Sequence, residues 1–451
     1  GWATAGAFSS KYDEDKKVIG QFDKDFQNKL FYFINLPNDI SLDHFIKRKA
    51  ELDSTVSIKY EWAKQRAIYG CDVTNYVLSQ FVMQNCEDLL TRDMAIGKNS
   101  LPEVVKAKIS YILDNKVPFC LDFQDFNSQH TLSAMRAVIC AFLDTWADRL
   151  SFDQYKAAYW LLDSINNQFV TDTIGTRTAY KANGTLLSGW RLTSFVNTIL
   201  NVVYFRYLQG KLQFRHNSIH SGDDILIGLV NMRQVQNVYK NCIKANIRLS
   251  PLKCFYGSVA EFLRVEHNSR QFGQYIARSI ATLVAAKIES KPAFNVRDVI
   301  EALYNRATEI IKRGGNPKFV KNLLHIQISY WSKRFGITQF DYELICSNNR
   351  MFGGINNHRL PSKYSIKLIP DPEEVARYQM TTLPKVQPGV YQYAISCLKY
   401  LPSKVLEVTQ VAKYIQDRIN FSFARIPNKL IVKDLSLAEF NRMRNLMSFQ
   451  G

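Results

Sequence analysis

The chain has 451 residues, 46% hydrophobic and 22% charged, with a formal charge of +18 and a pI near 9.4. That is enough chain for two or three lobes around a large buried core, and the balance excludes long intrinsic disorder. The charge points to a polyanion such as nucleic acid as partner; a membrane surface competes, but no long basic amphipathic helix with a bulky apolar face supports it.

No uncharged apolar run approaches ~18 residues and no signal-peptide pattern is present, so no membrane partner is expected. The eight cysteines, among them Cys71, Cys86, Cys120, Cys140, Cys242 and Cys254, are scattered without a paired Cys/His spacing. They read as buried thiols of a reducing compartment rather than disulfides or zinc ligands. Gly1 stands where an initiator methionine would, so the chain reads as a piece of a longer polypeptide.

In chain order, the opening Gly1 to Ser10 is rich in small residues around Trp2 and reads as a loop or a frayed terminus. From Val56 to Gly70 the run holds Lys59, Glu61, Lys64 and Arg66. In an extended segment Lys64 and Arg66 share a side and could grip a triphosphate, although a charge run also suits a solvated face. Val117 to Leu121 is a buried strand ending abruptly at Asp122. A carboxylate directly after that apolar run is costly unless paired or bound to metal. Asn127 and Ser128 read as the cap of the next helix, and Asp125 as a turn residue.

Residues Asp153 to Val170 read as one helix. Lys181 to Gly189 is a loop with two glycines, and the helix after it carries Thr193, Asn197 and Asn201 every fourth residue, beside an apolar face. Ser188 and Gly189 could present a hydroxyl and backbone to a phosphate or sugar, or the stripe could only cap and tie helices together. Leu212 to Val230 reads as two strands joined at Ser221-Gly222-Asp223-Asp224. Adjacent aspartates on such a turn repel unless a cation sits against them. A helix from Met232 to Ala245, a turn Ser250 to Lys253 and a short strand Glu261 to Val265 follow. Beyond these the pattern is helical around Ile300 to Ile311, stopped by Gly314 to Pro317. Pro370 to Pro372 and Leu383 to Gly389 read as linkers or subdomain edges, and Val405 to Arg418 and Leu435 to Met447 as helices.

Asp122 at a strand end and Asp223-Asp224 at a hairpin tip can share one edge of an antiparallel sheet. Three carboxylates so placed can hold two Mg²⁺ ions. The order of elements resembles the palm and fingers motifs of viral RNA-dependent RNA polymerases, with wording most like the totivirus group of double-stranded RNA viruses. The match is carried by Lys59 to Gly70 (KYEWAKQRAIYG), Cys120 to His130 (CLDFQDFNSQH), Gly184 to Asn201 (GTLLSGWRLTSFVNTILN), His220 to Asp224 (HSGDD), Ser250 to Lys253 (SPLK) and Glu261 to Val265 (EFLRV). It covers Val56 to Val265, and Tyr275 to Ser290 is similar to the group's downstream region.

The resemblance implies an α+β right-hand polymerase with an antiparallel palm sheet, mixed fingers and a largely helical thumb. Its implied divisions are fingers at 1–116, palm at 117–150, a fingers insertion at 151–183, palm again at 184–266, and helical thumb with C-terminal extension at 267–451. It implies that Asp122, Asp223 and Asp224 serve two Mg²⁺ ions, with Mn²⁺ a possible substitute and Asp224 the more peripheral. Lys64 and Arg66 would grip the nucleoside triphosphate, with Lys59 facing it or the template. Ser188 and Gly189 would form a mobile loop that checks the nascent pair. Thr193 and Asn197 would help sense the ribose, and Lys253 would protonate the leaving pyrophosphate. Many relatives have an aspartate at the position of Asn127, which puts the strength of ribose selection in doubt. The implied partners are RNA template and product, nucleoside triphosphates, and a viral capsid protein fused upstream. The implied place is the virion interior in the host cytoplasm. A reverse transcriptase and a catalytically silent RNA-packaging module are the rival readings.

Overall fold

A computed structural model describes residues 6–20, 27–37, 40–61, 64–212, 214–267, 273–284, 295–357, 362–373, 390–399, 407–424 and 428–447. The chain is α+β and divides into two compact units, Gly1–Gly273 and Gln274–Gly451.

In the first unit, short helices α1 (Asp13–Gly20), α2 (Lys29–Ile34) and α3 (Asp43–Ile46) precede the hairpin β1 (Leu52–Glu61) and β2 (Lys64–Cys71). The basic run is therefore two strands rather than one, with Lys59 opposite Arg66 and Glu61 opposite Lys64. Helices α4 (Val73–Val82) and α5 (Pro102–Ile112) lead to β3 (Val117–Leu121). Asp72 caps α4 through the Asn75 N–H, and Pro102 opens α5 where a missing N–H is harmless.

Thr131, not Asn127 or Ser128, caps helix α6 (Leu132–Thr145); residues Phe126–Gln129 form a tight 3₁₀ turn before it. Helix α7 (Phe152–Asn166) starts on a Ser151/Gln154 capping box and stops short of the expected Val170. The reason is β4 (Gln168–Thr171), which pairs in parallel with the start of β1, Leu52 opposite Gln168, and then with β5 (Ala179–Lys181). Strand pairing outweighs the helical period there.

Helix α8 (Thr193–Gln209) is followed by β6 (Ser218–Ser221), β7 (Asp224–Leu229), helix α9 (Met232–Lys244) and β8 (Phe255–Tyr256). Leu212 and Phe214 are not in the incoming strand; they sit in the turn after α8, packed on the sheet's core. The sheet order is β6-β7-β3-β8, antiparallel throughout. Both faces are covered. Phe119, Leu121, Ile225, Ile227 and Leu229 pack with Val235, Val238 and Cys242 of α9, whereas Leu226 and Ile219 pack with Ile109 and Ile112 of α5. Burying each of these aliphatic side chains contributes roughly 1.5–3 kcal/mol. The helix α5 lies so close that a Cβ on Gly228 would come within 2.2 Å of the Ile112 carbonyl oxygen. The expected strand Glu261 to Val265 is a miniature hairpin, β9 (Glu261–Phe262) and β10 (Val265–Glu266), turning on Leu263 and Arg264 with φ of 51° and 65°.

The second unit holds α10 (Ile276–Val284), α11 (Val296–Lys312), α12 (Pro317–Phe335) and α13 (Gln339–Ser347), with further helices Val390–Leu398, Val408–Ala424 and Leu437–Met447. Val299, Leu303, Ala307 and Ile310 of α11 meet Val320, Leu324 and Ile328 of α12. Asn316 and Pro317 start α12 and the left-handed Gly336 ends it. The unit also contains an unexpected antiparallel pair, β11 (Tyr364–Pro370) and β12 (Asn428–Asp434). Leu383 to Gly389, the start of the expected helix at Val405, and the stretch after Val284 in Tyr275 to Ser290 lie outside the described residues. So do Gly1 to Ala5 of the opening loop. All eight cysteines are free thiols, and among the described residues no helix is long and apolar enough to cross a membrane.

Candidate active site

Ser221 pairs with Asp224, leaving Gly222 and Asp223 as a two-residue hairpin loop. Gly222 takes φ 59°, the left-handed conformation that glycine adopts without a steric cost. Strand β3 opposes β7 with Leu121 facing Ile225. Asp122 follows directly on that last pair and Asp224 directly precedes it, and the Asp122 charge acts on the Asp224 carboxyl. A strand end and a hairpin tip are thereby brought to one sheet edge, with Asp223 exposed at the point.

The electrostatics follow. Burial and the negative charges of Asp223, Asp122 and Glu261 push the Asp224 carboxyl up to about 6, with Arg264 acting against them. The Lys253 ammonium donates to Asp122 Oδ1 at 3.0 Å, and Asp122 is also tied through its backbone, its carbonyl accepting from Ser250 N–H at 2.9 Å. Glu261 and Arg264, on the small β9–β10 hairpin, are read from sequence only as part of the Glu261 to Val265 strand and motif, with no role assigned beside the aspartates, because nothing local links segments so far apart. Asp122, Asp223, Asp224 and Glu261 act on one another at this edge beside Lys253 and Arg264, and carboxylate oxygens are the donors a hard divalent cation takes, although no three of them are gathered as closely as a bound ion would draw them. A second acidic group, Glu14, Asp15 and His44, is more tightly gathered, but the Arg48 guanidinium fills it, 2.9 Å from Asp15, and it reads as a buried ion pair.

Asp224 gives a stability prediction. Its folded pKa near 6 exceeds the ordinary carboxylate value near 4, so the folded state binds more protons between those pH values and stability falls as pH rises through that window. Asp224→Asn in divalent-free buffer is therefore expected to raise the free energy of unfolding at pH 7.5, by on the order of 2–3 kcal/mol at most. The gain should vanish as pH falls below about 4. Denaturant melts across pH check this, and a pH-independent difference would contradict it.

Beneath the tip, α8 grips the loop by its backbone. Thr198 Oγ1 accepts from the Gly222 N–H at 2.8 Å, and Asn201 Nδ2 donates to the Gly222 carbonyl at 2.9 Å. Asn201 Oδ1 meets His220 Nδ1 at 2.9 Å, and His220 Nε2 meets Ser218 Oγ at 2.8 Å. Burial holds the His220 imidazole down at about 3, so it is neutral and joins one donor to one acceptor. Asn201 carried only a place on a polar stripe in the sequence, and Thr198 carried nothing.

The remaining candidates fall into two groups around α8. Asn197 Nδ2 donates to Asn127 Oδ1 at 2.9 Å while Asn197 Oδ1 meets His130 Nε2 at 2.7 Å, so Asn127 and Asn197 are joined. The Thr193 hydroxyl lies 2.7 and 2.8 Å from the carbonyls of Leu187 and Trp190, one proton serving the loop's own backbone. Ser188 Oγ accepts from Tyr69 N–H at 3.2 Å, and a Cβ on Gly189 would stand 2.1 Å from the Tyr69 carbonyl oxygen. The Ser188-Gly189 loop thus abuts the end of β2, the strand that bears Lys64 and Arg66. Arg66 is exposed and Lys59 half-buried; the Lys64 side chain lies outside the described residues.

Residues 9–288 match the profile of a viral RNA-directed RNA-polymerase family. The probable RNA-directed RNA polymerase of Saccharomyces cerevisiae virus L-A is 34% identical over 406 residues, 88% of this chain and 26% of that protein. The probable RNA-directed RNA polymerase of Saccharomyces cerevisiae virus L-BC is 30% identical over 84% of this chain and 25% of its own length. This chain thus spans about a quarter of the length of these relatives. Among solved structures, the RNA-dependent RNA polymerase of a human picobirnavirus aligns with a TM-score of 0.49 at 15% identity, over 61% of this chain and 56% of that one.

Proposed function

The chain belongs to the viral RNA-directed RNA-polymerase family, and from that premise we propose that it synthesises RNA on an RNA template by two-metal nucleotidyl transfer, replicating and transcribing a double-stranded RNA genome. The observation that carries this reading is the β3–β7 register, which ends on Leu121 opposite Ile225 with Asp122 and Asp224 flanking that pair, their charges interacting, and Asp223 at the tip. Asp122, Asp223 and Asp224 would hold two Mg²⁺ ions, or Mn²⁺ in their place, which would supply the charge that lowers the pKa of an attacking 3′-hydroxyl and offsets that of the leaving phosphates.

This chain's own residues do the rest. Lys64 and Arg66 grip the triphosphate, and Lys59, opposite Arg66, faces it or the template. Ser188 and Gly189 report on the nascent pair through their contact with the end of β2. Asn127, its Oδ1 already taken by Asn197, offers amide hydrogens to the 2′-hydroxyl, a weaker grip than an acceptor-only aspartate would give. Asn197 thus senses the ribose through Asn127, while Thr193 shapes the loop that delivers it. Lys253 protonates the departing pyrophosphate. In this reading residues 117–150 and 184–266, which hold the β6-β7-β3-β8 sheet, are the palm, residues 1–116 and 151–183 the fingers, and residues 267–451 the thumb and C-terminal extension. Fusion to a capsid protein and work inside a particle in the host cytoplasm complete the proposal.

Incubating the chain with primed or unprimed RNA, either ribonucleotides or deoxyribonucleotides, and Mg²⁺ or Mn²⁺ tests it. Template-dependent ribonucleotide incorporation is expected. A preference for deoxyribonucleotides would assign the site to reverse transcription, and RNA binding without incorporation under any of these conditions would leave a binding module.

A further inference from the structure

Between α5, the C-terminal half of α8 and the start of β6 lies a cavity of about 230 Å³, distinct from the aspartate edge. Its wall carries Lys108 of α5, Arg206 and Gln209 of α8, Asn217, Ser218 and Asp93. Two histidines complete it: His216 is 8% exposed and His220 2%. His216 Nδ1 is buried and has no hydrogen-bond partner among the described residues. Burial keeps both rings neutral, with Lys116 adding to the effect on His216, and Arg206 and Lys108 to that on His220. Nothing in the proposed polymerase reaction uses this cavity.

We propose that the cavity is an anion site that takes the phosphate group of a small molecule: inorganic phosphate, pyrophosphate or a free nucleotide. Three features favour that class. A guanidinium and an ammonium line the wall against a single carboxylate, and Asp93 is itself engaged, by Thr91 and, at 3.6 Å, by Arg206. The neutral wall groups Gln209 and Asn217 can both donate hydrogen bonds to phosphate oxygens, while the Ser218 hydroxyl proton is taken by His220 Nε2. The volume lies below the ~300–1,000 Å³ of pockets for drug-sized ligands, which suits one or two phosphate groups and not a folded RNA. A divalent cation is disfavoured because its carboxylate ligand is taken and two cations face it. The site has a route to the catalytic edge, since His220 in its wall is bonded to Asn201, which holds the Gly222 carbonyl. An anion there would act on the hairpin that bears Asp223.

The test uses the chain labelled with ¹⁵N-histidine in chelator-containing buffer. Imidazole resonances are followed as inorganic phosphate, pyrophosphate, ATP, Mg²⁺ (chelator omitted) or a short 5′-hydroxyl RNA is added. Saturable shifts of His216 and His220 are expected with phosphate and pyrophosphate, assigned by loss of one resonance in His216→Gln. Lys108→Gln and Arg206→Gln should each weaken pyrophosphate at least tenfold in that readout. Arg206 is 65% exposed, so its replacement leaves the fold standing and suffices even if Lys108→Gln unfolds. Unchanged affinity in Arg206→Gln, silent imidazoles, or shifts produced only by RNA or only by Mg²⁺ would each overturn the proposal.

Discussion

Asp122→Asn and Asp223→Asn are each expected to lower the rate of nucleotide addition by a thousandfold or more while RNA binding changes less than twofold. The effect is electrostatic. In-line attack on a triphosphate develops charge on the attacking and leaving oxygens, and the metal-assisted part of its stabilisation is several kcal/mol; a thousandfold loss is about 4 kcal/mol. Asparagine keeps the shape of aspartate and removes only the charge. Neither change should disturb the fold: the hairpin tip is held by Thr198 and Asn201 through the backbone of Gly222, and Asp122 through its backbone to Ser250. Asp224→Asn should cost less, because burial and the negative charges of its neighbours push that carboxyl up and weaken its hold on a full charge. Single-turnover addition of one ribonucleotide to a primed template, at saturating Mg²⁺, measures all three. Near-normal synthesis by Asp223→Asn would remove the two-metal assignment outright.

What sequence made legible here was whatever sat in a local pattern. Val117 to Leu121 ending at Asp122, the Gly-Asp-Asp turn and the amphipathic helix after it were readable because period and turn chemistry agreed over adjacent residues. What failed were segments whose state is decided by a distant partner. Phe169 and Val170 continue the apolar pattern of α7, yet β1 recruits them as a parallel strand from more than 100 residues away. Leu212 and Phe214 alternate as a strand would, but only over three residues, and they are used to seal the core after α8. Asn127 looked like a helix cap until Thr131 took that role and left its amide for Asn197. The clamp on the hairpin is the clearest case: Thr198, Asn201 and His220 are buried polar groups whose meaning lies entirely in their pairing across segments. A buried polar residue is costly alone and specific when satisfied, so its role appears only when its partner is known.

Lys253→Met is expected to lower the maximal rate of nucleotide addition a hundred- to ten-thousandfold, the range over which a positioned proton donor acts. Two roles compete for this residue, because its ammonium lies 3.0 Å from Asp122 Oδ1 and could serve only to neutralise that carboxylate. They separate by what else changes. A neutralising partner competes with a divalent cation for Asp122, so its loss should tighten apparent Mg²⁺ affinity and leave the rate at saturating Mg²⁺ near normal. A proton donor to pyrophosphate leaves Mg²⁺ affinity as a secondary matter and lowers the rate even when metal and nucleotide saturate. Lys253→His then supplies the decisive variant, since an imidazole donates a proton over a lower pH range than an ammonium. Under the donor role Lys253→His should recover part of the rate lost in Lys253→Met, with the recovery falling away as pH rises above about 7. The Lys253→His turn at Ser250 to Lys253 tolerates the change, because Lys253 is 57% exposed and its backbone, not its side chain, closes that turn on Ser250. A Lys253→Met rate near that of the unchanged chain at saturating Mg²⁺ would return Lys253 to the simpler role of partner to Asp122.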